Sequence, residues 1–162
     1  MHSKPAITID TAAALMGVSK RTLWRYLRDG KLSQPGSGQR TAGRTMILVE
    51  EVADKFFVKL MPGDGDPDTD DYALLALADQ GDSDAQNDLA LLFLEQQLYD
   101  FALHYFHLAI AQDHADAMHY LSDMYEKGTG VEQCSETALI WRAKAAAFGH
   151  EIARRKVLGA PS

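Results

Sequence analysis

Ala117-Met118-His119-Tyr120-Leu121-Ser122-Asp123-Met124-Tyr125-Glu126-Lys127-Gly128-Thr129-Gly130-Val131 decides the architecture, because much of its pattern already occurs one unit earlier. Ala85, Ala117 and Ala153 stand 32 and 36 residues apart. Leu89 and Phe93 return as Leu121 and Tyr125, 32 residues on, and Ala102 and Ala109 return as Ala138 and Ala145, 36 on. The four-residue difference falls in one loop, Gly128-Thr129-Gly130-Val131, where the earlier unit turns through Gln96-Gln97-Leu98. Helical positions in register, with the length change confined to a loop, predict stacked antiparallel helix pairs, a short α-solenoid. Alanines at fixed positions let paired helices approach closely. Residues 71–84 read as the last helix of a truncated preceding unit, and 151–158 as a closing helix.

Upstream the chain changes character. Residues 1–61 carry ten Lys/Arg against five Asp/Glu, whereas residues 62–162 carry six against eighteen, giving the net −7. A basic segment can meet a polyanion that an acidic one repels. Between them, residues 62–71 hold two prolines, two glycines and five aspartates, and read as a solvated acidic linker. The alternation of Asp64, Asp66, Asp68 and Asp70 resembles the start of a calcium loop. However, Thr69 stands where the sharp-turn glycine belongs and Leu75 where the bidentate glutamate belongs. Three segments are expected: 1–61, the linker 62–71, and a repeat domain 72–162.

Within 1–61, Ile7-Thr8-Ile9 reads as extended, and Asp10 as the cap of a helix that Gly17 ends. Ser19 is a good N-cap for a second helix, Lys20–Asp29, closed by Gly30. Two capped helices joined by Gly17-Val18-Ser19 form a helix-turn-helix pattern. Ser33 to Thr45, followed by Met46-Ile47-Leu48, reads as a β-hairpin wing. Glu50–Leu60 reads as an amphipathic helix with Val52, Phe56 and Leu60 on one face. The fold expected is therefore mainly α: a winged helix-turn-helix followed by helix-pair repeats.

The first segment resembles the MerR-like and excisionase-type winged helix-turn-helix family over residues 6–60. The matching residues are Ile9, Ala13, Gly17-Val18-Ser19, Arg21-Thr22-Leu23-Trp24-Arg25, Leu27-Arg28, Gly30-Lys31-Leu32, Gly43-Arg44 and Ile47. The excisionase branch fits more closely, and Gln34 to Gln39 lengthen the wing beyond its short form. This resemblance implies binding to double-stranded DNA. On residue chemistry, Leu23 and Leu27 point inward, and the N-terminal end of such a helix meets base edges. Ser19, Arg21 and Thr22 are thus expected at bases. Arg25, Arg28, Arg40 and Arg44 are expected nearer phosphates, with Tyr26 donating its hydroxyl, and Lys20 is counted among the DNA-binding residues. Trp24 reads as a rim residue packed on the wing.

The second segment resembles Sel1-like repeats, relatives of the tetratricopeptide repeat, on Ala117, Leu121, Met124 to Val131, Ala138, Trp141, Lys144-Ala145-Ala146 and Gly149-His150. The resemblance implies a protein-binding scaffold without catalytic machinery. Tyr99, Phe101, Tyr105 and Trp141 are the expected partner-binding residues. His104 and His107 lie three apart, but no recognised metal spacing surrounds them. No phosphate loop or nucleophile elbow occurs, so neither enzyme activity nor a cofactor is expected. Cys134 is the single cysteine, and no signal-peptide or membrane-spanning run is seen. The function expected is a cytoplasmic, nucleoid-associated bacterial transcription regulator, a homodimer or higher oligomer through its repeats. The alternatives are an interaction adaptor without specific DNA binding, or an excisionase-like architectural DNA binder.

Overall fold

A computed structural model describes residues 4–35, 44–56 and 69–159 of the chain. It divides into two compact units, 1–80 and 81–162.

In the first unit, strand β1 (Ala6–Thr8) pairs antiparallel with β2 (Met46–Leu48), Ile7 standing opposite Ile47. Of the expected hairpin, residues 36–43 lie outside the described residues, and its described strand, β2, pairs with the segment before the helices. All three residues of β1 are buried, as are Met46 and Ile47 of β2, so neither strand shows the alternation that would have announced its partner. Helix α1 (Ile9–Met16) is capped by Thr8, whose hydroxyl accepts from Thr11 N, and not by Asp10, which lies in the first turn and pairs with Lys20. Gly17 ends α1 in the left-handed region at φ 63°. Helix α2 (Lys20–Arg28) begins at Ser19, whose Oγ accepts from Thr22 N at 3.2 Å.

The helix expected over Glu50–Leu60 is absent from the described part of that stretch. Two 3-10 turns, Val49–Glu51 and Ala53–Lys55, flank Val52, whose φ of −126° breaks the helical ladder while its side chain enters the core. Phe56 continues as extended backbone, and Leu60 lies outside the described residues.

Helix α3 (Thr69–Gln80) also belongs to this unit. It was expected to close a truncated repeat; instead it packs on β1 and on the Val49–Glu51 turn, with Leu75 fully buried. Asp79 fastens it: Thr8 N donates to its Oδ2 at 2.8 Å, Thr8 Oγ1 to its Oδ1 at 3.0 Å, and Thr11 Oγ1 also to Oδ1. The division thus falls later than the expected 71/72 boundary, and residues 62–68 of the expected linker lie outside the described residues.

The second unit is a run of helix pairs: α4 (Ser83–Glu95) on α5 (Tyr99–Ile110), α6 (Ala115–Lys127) on α7 (Ser135–Ala147), then α8 (Glu151–Leu158) on α7. The recurring alanines hold the seams: Ala102, Ala109, Ala138 and Ala145 are buried, as are Ala85, Ala117 and Ala153. Each of those last three also donates its backbone N–H to the cap of its own helix. The acceptors are Asp82 Oδ1 at 2.8 Å, His114 Nδ1 at 3.2 Å and His150 Nδ1 at 3.1 Å. The residue before each cap, Gly81, Asp113 or Gly149, is left-handed in all three.

Candidate functional site

Helix α2 buries Leu23 and leaves most of its remaining surface to solvent. With one apolar stripe turned inward, every cation on the helix is pushed outward. Ser19, Arg21, Thr22, Trp24, Arg25 and Arg28 line one open groove of 570 Å³. The expected base-contacting set, Ser19, Arg21 and Thr22, is therefore brought together with Arg25 and Arg28. Two of the expected DNA-binding cations are engaged within the molecule: Lys20 pairs with Asp10, and Arg28 Nε lies 3.2 Å from Asp29. Arg21 and Arg25 form no ion pair among the described residues. Tyr26 is half-buried between cations, its ring centroid 5.7 Å from Arg25 Cζ and 5.5 Å from Lys31 Nζ. Arg44 is exposed just before β2, and Arg40 lies outside the described residues. Trp24, 49% exposed, stands in the groove beside the arginines.

The expected partner-binding aromatics fare differently. Tyr105 is buried core, tilted against Phe93 at 5.6 Å, so it is not a surface residue. Phe101 is half-buried against the same Phe93 ring at 5.3 Å. Tyr99 lies against Gly130 of the long loop, and Trp141 lies beneath Lys144 Nζ at 4.4 Å. Core demand has taken the aromatics because α5 must fill the space under α4. Besides Leu108 of α5, six large apolar side chains are left open further along, all but one of them aliphatic: Leu139, Ile140, Phe148, Ile152, Val157 and Leu158. Sequence reasoning passed over these six, although they sit in the acidic segment where a partner was sought.

Between α6, α7 and α8 lies a polar seam. His119 is buried and stacks on His150 with centroids 4.1 Å apart. Arg142 pairs with Glu126 and, at 3.8 Å, with Asp123 Oδ1, which Lys156 Nζ reaches at the same distance. One repeat earlier, the matching positions are Leu91, Phe106 and Tyr120, and there Phe106 and Tyr120 stack at 5.9 Å. Among the described residues, no group of three or more His, Cys, Asp or Glu side chains is gathered to hold a metal. No helix among them is long and apolar enough to cross a membrane.

No protein-family model matches the sequence, and no curated protein does. Over 56% of its length the chain is similar to a Sel1 repeat protein from Oxalobacter formigenes, with 34% identity and a TM-score of 0.51. The chain spans 28% of that protein's length. The run of helix pairs in the second unit is consistent with this likeness.

Proposed function

We propose that this chain is a non-catalytic protein-interaction adaptor whose Sel1-like repeats engage a protein partner. The likeness to a Sel1 repeat protein supports this reading, and the open aliphatic side chains of α7 and α8 supply the kind of surface a partner covers. In-cell cross-linking of the tagged full chain, read by mass spectrometry, tests it. Specific cross-links from the repeat helices to one protein are expected, and they should be lost in the Leu139→Asp, Ile140→Asp double variant. Cross-links no richer than those of a tag control would remove the adaptor reading.

A second reading is favoured by one observation, the open groove in which Arg21 and Arg25 lie without an ion-pair partner among the described residues. On this reading α2 is a recognition helix and the first unit a winged helix-turn-helix on double-stranded DNA, with the repeats joining copies or partners. A small domain of this kind buries limited DNA surface, and pairing of copies would raise its effective concentration. Duplex binding should then fall steeply with salt, and Arg21→Ala with Arg25→Ala should abolish it without unfolding the protein. Binding that ignores salt, or is unchanged in the double variant, would leave the adaptor alone.

A further inference from the structure

The two complete helix pairs of the second unit show what an incoming second helix covers. Leu89 and Ala90 are buried in the α4–α5 pair, and Leu121 and Ser122, 32 residues on, are buried in the α6–α7 pair. Ser122 donates its hydroxyl to Ala138 O across that pair at 2.8 Å, so the position looks directly onto the second helix. Another 36 residues on, the same two positions are Val157 and Leu158 of α8. They remain 43% and 77% exposed, and among the described residues no helix lies over them. Among the described residues, helix α8 therefore carries the apolar edge of a first helix with no second helix against it.

Charge narrows what can lie there. Residues 82–162 hold six Lys/Arg against twelve Asp/Glu, yet three of the six, Arg154, Arg155 and Lys156, are on α8. Glu151 meets Arg155 at 3.1 Å and Arg154 at 4.0 Å through exposed contacts and Asp123 of α6 lies 3.8 Å from Lys156, so these two carboxylates offset only part of the charge of the three cations. A second α8 laid against the first would set cation against cation, which disfavours symmetric pairing of two copies through this edge.

We infer that α8 is the docking edge for an acidic amphipathic helix of a partner protein, which completes a third helix pair. Its apolar face covers Val157 and Leu158, and its carboxylates meet Arg154 and Arg155. This inference rests on the adaptor reading and names the chemistry of the partner.

The test is fluorescence anisotropy of a labelled, stapled helical peptide with leucines on one face and glutamates on the other, titrated with the full chain. Saturable binding is expected, weakened about tenfold or more by Leu158→Glu and, separately, by Arg154→Glu with Arg155→Glu. A peptide with lysines in place of the glutamates should not bind. The altered side chains are exposed, so the thermal melts of the variants should overlay the parent's. Equal binding of both peptides, or none of the acidic one, overturns the inference, as does a Leu158→Glu variant that binds like the parent. Self-association that Leu158→Glu abolishes also overturns it, because the occupant is then a second copy. A partner cross-linked equally to the parent and to Leu158→Glu removes the inference and leaves the adaptor reading intact.

Discussion

His119 of α6 and His150 at the N-cap of α8 stack their rings 4.1 Å apart, and His150 Nδ1 accepts the backbone N–H of Ala153. That bond uses the Nδ1 lone pair, so the ring's proton sits on Nε2, 3.6 Å from Asp116. Burial first, and then the neighbouring His150 ring, hold the His119 imidazole below its ordinary value; Asp123 pulls the other way, and Lys156 and Arg142 add to the lowering. Above about pH 6.5 the ring is neutral in both folded and unfolded chains, and it contributes no pH dependence. As pH falls through that value the unfolded chain takes up a proton that the fold resists, so stability present above it is lost toward the lower folded value. Thermal unfolding from about pH 7.5 to about pH 5.5 should therefore show a falling midpoint, with a slope of at most about 1.4 kcal/mol per pH unit from this ring. His119→Gln should flatten it; an unchanged slope would exclude His119 as its source.

Asp79 should prove central to the first unit. Its carboxylate is the acceptor for the Thr8 backbone N–H and for the Thr8 and Thr11 hydroxyls, with Thr8 itself buried. Asp79→Ala leaves that buried N–H without its acceptor and frees α3 from the start of α1. A loss of about 2–3 kcal/mol is expected, read by denaturant unfolding. Amide exchange should accelerate at Thr8 and along α3 while the repeat helices are unaffected. Asp79→Asn keeps one acceptor oxygen and should lose less.

These two sites mark where sequence reading reaches and where it stops. The alanine spacing was legible because two helices can cross closely only where both side chains are small, and the requirement recurs with every pair. Gly17 and Ser19 were legible because a left-handed residue and a side-chain acceptor are local needs. The Asp79 clamp was not, since nothing local tells a carboxylate on α3 that its donors lie in Thr8 and Thr11. Capping by His114 and His150 was hidden for another reason: an imidazole caps through one lone pair, and its spacing is that of any surface histidine. Tyr105 was misplaced because aromatic clustering marks a helix as rich in area without saying which side faces α4. On α2 the positions were legible and their freedom was not, as Asp10 and Asp29 occupy Lys20 and Arg28.

The seam between the last two repeat steps offers a substitution test. Asp123, Arg142 and Lys156 stand where Leu91, Phe106 and Tyr120 stand one step earlier, and neither Asp123 Oδ1 nor Arg142 Nε has a hydrogen-bond partner despite burial. Removing Asp123 leaves Arg142 paired with Glu126 and Lys156 half-exposed to water, so Asp123→Leu alone should destabilise α8 by no more than about 1 kcal/mol. Replacing all three together, Asp123→Leu, Arg142→Phe and Lys156→Tyr, copies the apolar step already present in the chain. The triple variant should be at least as stable as the parent and should lose the parent's dependence on salt. Urea melts at low and high salt decide it. A triple variant weaker than Asp123→Leu would mean that the ions specify a geometry the apolar set cannot reproduce.

Gly130 is the last position with a sharp expectation. It sits in the four-residue insertion that distinguishes the second repeat, at φ 69°, and a Cβ placed there would collide with Cβ and Cγ of Tyr99 at the start of α5. The loop after α6 thus depends on glycine twice, for its left-handed backbone and for room beside an aromatic ring of the preceding repeat. The backbone alone makes Gly130→Ala unfavourable by roughly 1–2 kcal/mol. The collision adds to this unless Tyr99 moves, and its Cβ cannot move without α5. Tyr99→Ala leaves its own Cβ in place, so the double variant should recover little, whereas Tyr99→Gly should restore part of the loss. Melting temperatures of the parent, Gly130→Ala, Tyr99→Gly and the Gly130→Ala, Tyr99→Gly double variant separate the two causes: a Gly130→Ala penalty that is the same beside Tyr99→Gly as beside Tyr99 would assign all of it to the backbone.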